Sequence, residues 1–312
     1  MELYIFIKTK LLIKKLYFQK VNKVEIFTII IFIHLSIFIY LFENKNNDER
    51  IEYSHDELTI VSAYYKIKSK FKHSVYLDWI KNFIMLNKSM VIFTNNKFIP
   101  HLKKLRPKKF HNKTVFLELE MEDFYSYKNF YDKFKESFEI DFEKKYHTIP
   151  LYLIWAEKCN FMKIAIQNNY FRSKCFYWID IGYFREQGDI DKYSNNWPSL
   201  KKCLGDKRLL MGQVNNFSSI EKEKILRFDF DAHIRLRKNY NVIGGIFGGQ
   251  YENIFKFINL YYATLRLFIK NKMFIGKDQN IFTYIAFAHP EIIKLIYCKD
   301  FFEYINFIIC KI

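Results

Sequence analysis

The sequence predicts an α/β domain built on a mostly parallel sheet flanked by helices, preceded by one N-terminal transmembrane helix. Three observations carry this reading. From residue 58 onward, short apolar runs alternate with amphipathic helical stretches, the pattern that builds parallel strands through right-handed crossovers. Phe176-Tyr-Trp-Ile-Asp180-Ile-Gly182 is apolar on both alternating faces, as a strand covered from both sides requires. Residues 26–42 form a run of 17 residues without a formally charged side chain.

That run follows a basic segment, residues 1–25, in which Lys8, Lys10, Lys14, Lys15, Lys20 and Lys23 face only Glu2 and Glu25. At ~1.5 Å per residue it covers about 26 Å, close to an endoplasmic reticulum bilayer. The positive-inside rule then leaves residues 1–25 in the cytosol and makes 26–42 a signal anchor. No small-residue cleavage site follows Phe42, which argues against a cleaved signal peptide, and the uniform apolarity argues against a buried core helix. The expectation is a single-pass type II protein whose domain lies in the lumen of the Golgi or endoplasmic reticulum. Residues 43–57 read as a polar stem, 58–300 as the folded domain and 301–312 as an apolar tail without an evident partner.

Within the domain, Leu58 to Tyr65 is the first strand. It ends in small and hydroxyl side chains, among them Ser62 and Tyr64, as first strands of nucleotide-binding sheets do. Tyr76, Trp79, Ile80 and Phe83 recur at helical spacing, and Met90–Thr94 and Thr114–Leu119 give two more strands. Phe124, Tyr127, Tyr131, Phe134 and Phe138 mark an amphipathic helix. Pro150 opens the next, with a stripe of Tyr152, Trp155, Cys159, Met162 and Ile166. Lys158 lies beside that stripe and points either to solvent or into a cleft. Asp180 then falls at the carboxyl end of the central strand, where open α/β sheets bind ligands, although Asp before Gly is also ordinary turn chemistry.

Arg208–Val214 reads as a further strand, followed by a polar loop. Asn241–Gly249 holds four of the nine glycines and matches neither GxGxxG nor a P-loop. Such a cluster implies a tight turn or close approach of backbone to a ligand. Ile254, Ile258, Tyr261, Leu265 and Phe268 mark a long helix. The polar cluster Phe274–Asn280 leads into a helical run from Ile281 to Ala288, which Asp278 is placed to cap.

The formal charge is +17, but the lysines are scattered and no helix-turn-helix, RRM or zinc-finger pattern exists. A basic solvated surface explains the charge, and no nucleic-acid partner is expected. Five cysteines without a CxxC pair read as core thiols, with one disulfide where the compartment is oxidising.

Seven segments, TIVSAYY, Trp79-Ile-Lys-Asn-Phe83, MVIFT, Pro150-x-Tyr152-x-x-Trp155-x-x-Lys158, FYWIDIG, Gly244-Gly245 and FIGKDQN, together resemble the HtrL/YibB family over about residues 58–290. That family is similar to glycosyltransferases of the GT-A type. The resemblance implies a GT-A-like, Rossmann-type sheet and transfer of a sugar from a nucleotide-sugar donor to a glycan, lipid or protein acceptor. It implies donor binding by Ser62, Tyr64, Lys158, Asp180, Gly182 and Arg185. GT-A enzymes hold a divalent cation on Asp-x-Asp; here Asp180-Ile-Gly182 stands in that place, so Asp180 is the one implied ligand for Mn²⁺ or Mg²⁺. Lys158, Arg185 or Lys277 would alternatively neutralise the diphosphate without metal. Gly244, Gly245, Lys277 and Gln279 are the implied acceptor residues, and Asp278 is either the general base of an inverting reaction or a positioning acid of a retaining one. The missing second carboxylate leaves a non-catalytic binding or scaffold protein on the same fold as the alternative.

Overall fold

The computed structural model describes residues 53–186, 188, 197–238, 241–299 and 303–304. The basic segment, the apolar run 26–42 and nearly all of the 301–312 tail lie outside them. Among the described residues no helix is long and apolar enough to cross a membrane.

The first half of the domain is β1 (Leu58–Tyr64), α1 (His73–Ile84), β2 (Ser89–Thr94), α2 (Ile99–Leu105), β3 (Thr114–Glu118), α3 (Tyr125–Glu139), α4 (Ile149–Asn168) and β4 (Cys175–Ile179). The second half is α5 (Leu200–Leu204), β5 (Leu209–Gln213), α6 (Ser219–Leu226), α7 (Phe230–Lys238), β6 (Val242–Gln250), α8 (Tyr251–Lys270), α9 (Asp278–Ala288) and β7 (Ile293–Tyr297). The strands form one seven-stranded sheet in the order β3-β2-β1-β4-β6-β5-β7. β1 runs parallel to β2 and β4, and β2 parallel to β3. β6 is antiparallel to both β4 and β5, and β7 is parallel to β5, so β6 alone is reversed. The sheet is mostly parallel, as the sequence predicts.

The strict alternation of β4 splits its side chains between two cores. Phe176 and Trp178 join one with Val61, Val91 and the buried faces of α4, α8 and α9. Cys175, Tyr177 and Ile179 join the other with Ile60, Met90, Ile80 and Phe83. Two apolar layers, one on each face, are what a period of two produces when helices cover both sides. Cys175 is disulfide-bonded to Cys203, which ties the start of β4 to α5 with a Cα–Cα distance of 6.3 Å.

Three departures from the sequence reading have physical causes. The stretch read as a polar loop before residue 241 contains α6 and α7. α6 opens on a capping box, with the Glu221 amide donating to Ser218 Oγ at 3.2 Å and the Ser218 amide donating to the Glu221 carboxylate at 2.9 Å. The glycine cluster is no turn: it lies within the buried strand β6, and no described glycine has a positive φ. Finally, the last residues of the expected stem are seated on the domain. The Ser54 and Asp56 amides bond to the carbonyls of Asn112 and Phe171, and the Tyr53 ring packs edge-on against Phe171 at 5.5 Å.

β6 also carries an irregularity. Met211 of β5 pairs with Phe247, yet Gln213, two residues on, pairs with Val242, five residues back. The excess in β6 flips its alternation, so that Val242 and Phe247 face one core while Ile243 and Ile246 face the other. Gly244 and Gly245 occupy this bulge. Bulges bend a strand and re-aim its groups, and they recur beside functional sites.

Candidate functional site

β1 and β4 are neighbours, but the chain leaves β1 toward β2 and β3 on one side and reaches β4 on the other. That reversal is the topological switch point, where open α/β sheets leave a crevice at their carboxyl ends. A cleft of about 410 Å³ opens there. Its floor comes from the ends of β1 (Ala63, Tyr64) and β4 (Trp178, Asp180), one wall from α1 (Tyr76, Trp79) and the other from the segment before α4 and its first turns (His147, Trp155, Lys158). Ligand clefts of ~300–1,000 Å³ lined by aromatic groups with a few polar ones are the usual form of a small-molecule site.

Lys158 is the pivot of the floor. Its side chain is only 3% exposed, and its ammonium lies 2.9 Å from Asp278 Oδ2 and 3.2 Å from Asp180 Oδ1 while donating to the Gly244 carbonyl at 2.9 Å. Trp178 Nε1 donates to the same Asp180 oxygen at 2.7 Å, and the Asp180 amide donates to the Gly245 carbonyl at 2.8 Å. The β6 bulge thus supplies both carbonyls that hold the cluster. Burial pushes the Lys158 ammonium down, but the carboxylates of Asp180 and Asp278 outweigh it and the net direction is up, so this lysine stays charged. Burial pushes the Asp278 carboxyl up, and the ammonium offsets only part of that. Asp180 differs: its side chain is 39% exposed, and one oxygen is held while the other is left to the cleft.

The residues expected at a site separate into two groups. Tyr64, Lys158, Asp180, Gly182 and Arg185 all line the cleft. Arg185 stacks over the Trp79 ring at 4.7 Å, and a Cβ on Gly182 would stand 3.0 Å from that same ring, so the glycine lets the chain pass close to Trp79. Tyr64 meets His73 Nδ1 through its hydroxyl at 2.5 Å, and burial pushes that phenol up to about 12. Ser62, Gly244, Gly245, Lys277, Asp278 and Gln279 do not line it. Ser62 is fully buried and donates to the Ile179 carbonyl at 2.6 Å, fastening β1 to β4. Asp278 is 5% exposed and opens α9 without capping it; its Oδ1 accepts from the Gln279 amide at 2.8 Å. A Cβ on Gly244 would sit 3.1 Å from the Asp278 carboxylate, so this glycine admits a carboxylate of the same chain rather than a ligand. Lys277 is ion-paired with Glu143 and donates to the Arg237 carbonyl at 3.0 Å.

Sequence reasoning missed the segment before α4. His147 lines the cleft, and its Nδ1 lies 2.7 Å from the buried carboxylate of Asp141, which also accepts from the Tyr152 hydroxyl. No motif spacing marks Asp141 and His147, and Tyr152 was legible as part of the Pro150 helix and its motif but not as a partner of Asp141. Glu157 was missed too: buried beside Lys158, it accepts from the Tyr125 and Ser126 amides at 2.9 and 2.8 Å and so serves the start of α3, which has no side-chain cap of its own.

The donor set does not fit a protein-built Mn²⁺ or Mg²⁺ site. Asp180 offers one carboxylate whose inner oxygen already faces an indole N–H and an ammonium, and the second acid, Asp278, is turned away from the cleft. Among the described residues, no three His, Cys, Asp or Glu side chains converge.

Compared with known families, residues 56–308 match the one described as "Bacterial protein of unknown function (HtrL_YibB)". No curated protein matches the chain.

Proposed function

Because the chain belongs to the HtrL/YibB family, whose chemistry has to be read from the site itself, we propose that it is a nucleotide-sugar-dependent glycosyltransferase acting on a glycan, lipid or protein hydroxyl. The observation that carries this reading is the half-exposed Asp180 at the floor of a switch-point cleft, its orientation fixed by Trp178 and Lys158. The half-sheet order β3-β2-β1-β4 is that of nucleotide-binding α/β sheets, which supports a nucleotide as occupant.

In this reading Tyr64, Tyr76 and Trp79 supply flat apolar surface for the base or sugar. Lys70 and Arg185, both exposed on the cleft lining, meet the diphosphate, whose negative charge rises as the sugar leaves. Lys158 is already surrounded by three acceptors, so it fixes Asp180 instead of binding phosphate. The free oxygen of Asp180 accepts from a donor hydroxyl.

A thermal-shift screen of UDP-, GDP- and CMP-linked sugars and the free nucleotides, with and without Mn²⁺, tests the proposal. A ligand at ~100 times its dissociation constant adds about 2.7 kcal/mol, a readily measured shift. One nucleotide class is expected to stabilise the protein, and Asp180→Asn to weaken the sugar-linked form more than the free nucleotide. Absence of any shift in folded protein would refute it. The second reading, a non-catalytic binding protein, is favoured by the neutralisation of Asp180 by Lys158. It predicts that a donor nucleotide binds weakly or not at all and that Asp180→Asn leaves function intact.

A further inference from the structure

We infer that Asp141 and His147 form a carboxylate–imidazole dyad on the cleft wall, with His147 Nε2 as the general base for the acceptor hydroxyl; this rests on the glycosyl-transfer reading above. Asp141 is buried and accepts three hydrogen bonds, from His147 Nδ1 at 2.7 Å, the Glu143 amide at 2.9 Å and the Tyr152 hydroxyl. An acceptor-only carboxylate at Nδ1 makes that nitrogen the donor, so in the neutral ring the lone pair lies on Nε2. His147 is 11% exposed at its side chain and lines the cleft, and no partner for Nε2 is found among the described residues.

The ring is also held in place. Trp155 meets it edge-on at 5.2 Å and Tyr152 at 6.0 Å, both from α4, the helix that carries Lys158. The other acids of the region are less suited. Asp278 does not line the cleft and faces Lys158, the charge of Asp180 is opposed by the same ammonium, and Glu143 is committed to Lys277.

The step balances. Nε2 takes the proton of the acceptor O–H as that oxygen bonds to the anomeric carbon from the face opposite the leaving group. The bond from that carbon to the nucleotide diphosphate breaks with its electron pair going to the diphosphate. The imidazolium is stabilised by Asp141 until the proton passes to solvent. Configuration at the anomeric carbon inverts.

Two measurements on the full chain test this. In ¹⁵N-histidine-labelled protein, at a pH high enough that the ring is neutral, long-range proton–nitrogen correlations should show His147 carrying its proton on Nδ1, and Asp141→Asn should abolish that preference. A wild-type ring protonated on Nε2 overturns the inference without reference to any ligand. For the UDP- or GDP-linked sugar that binds, His147→Gln should leave its affinity within about twofold and lower release of UDP or GDP by about 100-fold or more, the usual size of a general-base contribution. Unchanged release in a variant that melts like wild type refutes the dyad while sparing the glycosyltransferase reading. Failure of wild-type protein to bind any nucleotide sinks that reading instead, and with it the role of His147 toward a hydroxyl.

Discussion

Lys158 is a buried ammonium between two carboxylates, an arrangement that is costly to break from one side. Replacing it by Met keeps the length of the stem but leaves Asp278 charged and unpartnered in the interior. Lys158→Met should destabilise the protein by about 3 kcal/mol in urea unfolding at neutral pH. The loss has a definite pH dependence. The Asp278 carboxyl already lies above its ordinary range, and a group whose folded value is raised costs stability above its unfolded value and is relieved as it takes up a proton. The deficit of the variant should therefore shrink as pH falls toward the ordinary carboxyl range; a deficit that grows on acidification would contradict this account of the cluster. Lys158, Asp180 and Asp278 were all legible as single residues, through the Pro150 helix, the FYWIDIG strand and the GKDQN block. Their division of labour was not. Whether a carboxylate faces a cleft or a lysine depends on contacts between α4, β6 and α9, which no local pattern records. Asp141 and His147 had no local signal at all, being brought to the wall by the path of the chain from α3 to α4.

Strands and helices with strong periodicity were the readable part. β1 to β4, α3, α4 and α8 fall where alternation or a 3–4 spacing puts them. β7 escaped notice because Lys294 interrupts a short apolar run, and α6 and α7 because neither carries a long stripe, although Ser218-x-x-Glu221 was a visible start signal. The glycines of β6 were noticed for the wrong reason. A Cβ on Gly248 would stand 2.4 Å from both the Phe176 carbonyl and the Tyr177 ring, so glycine is there to let β4 and β6 pack. Gly248→Ala should cost about 3 kcal/mol, at the upper end of overpacking penalties, whether or not nucleotide is present. A variant as stable as wild type would show that β4 and β6 lie farther apart than described.

At the level of the whole chain, we propose a lumenal placement of the domain; the apolar run 26–42 and the Cys175–Cys203 bond support it, since disulfides persist in oxidising compartments. Asn216, in an N-x-S sequon, is exposed between β5 and α6. Expressed in a secretory host, the full chain should gain a glycan there, read as a mobility shift lost in Asn216→Gln; an unmodified protein recovered from the cytosol would overturn the lumenal placement. The occupant of the cleft between β1 and β4 decides the functional reading. Calorimetric titration of UDP, GDP and CMP into the full chain and into Arg185→Ala answers that question. The expected result is saturable binding of one nucleotide at one site, weakened by about tenfold, or roughly 1.4 kcal/mol, when the guanidinium over Trp79 is removed. No binding, or binding indifferent to Arg185, would contradict a nucleotide-sugar site at the switch point of the sheet.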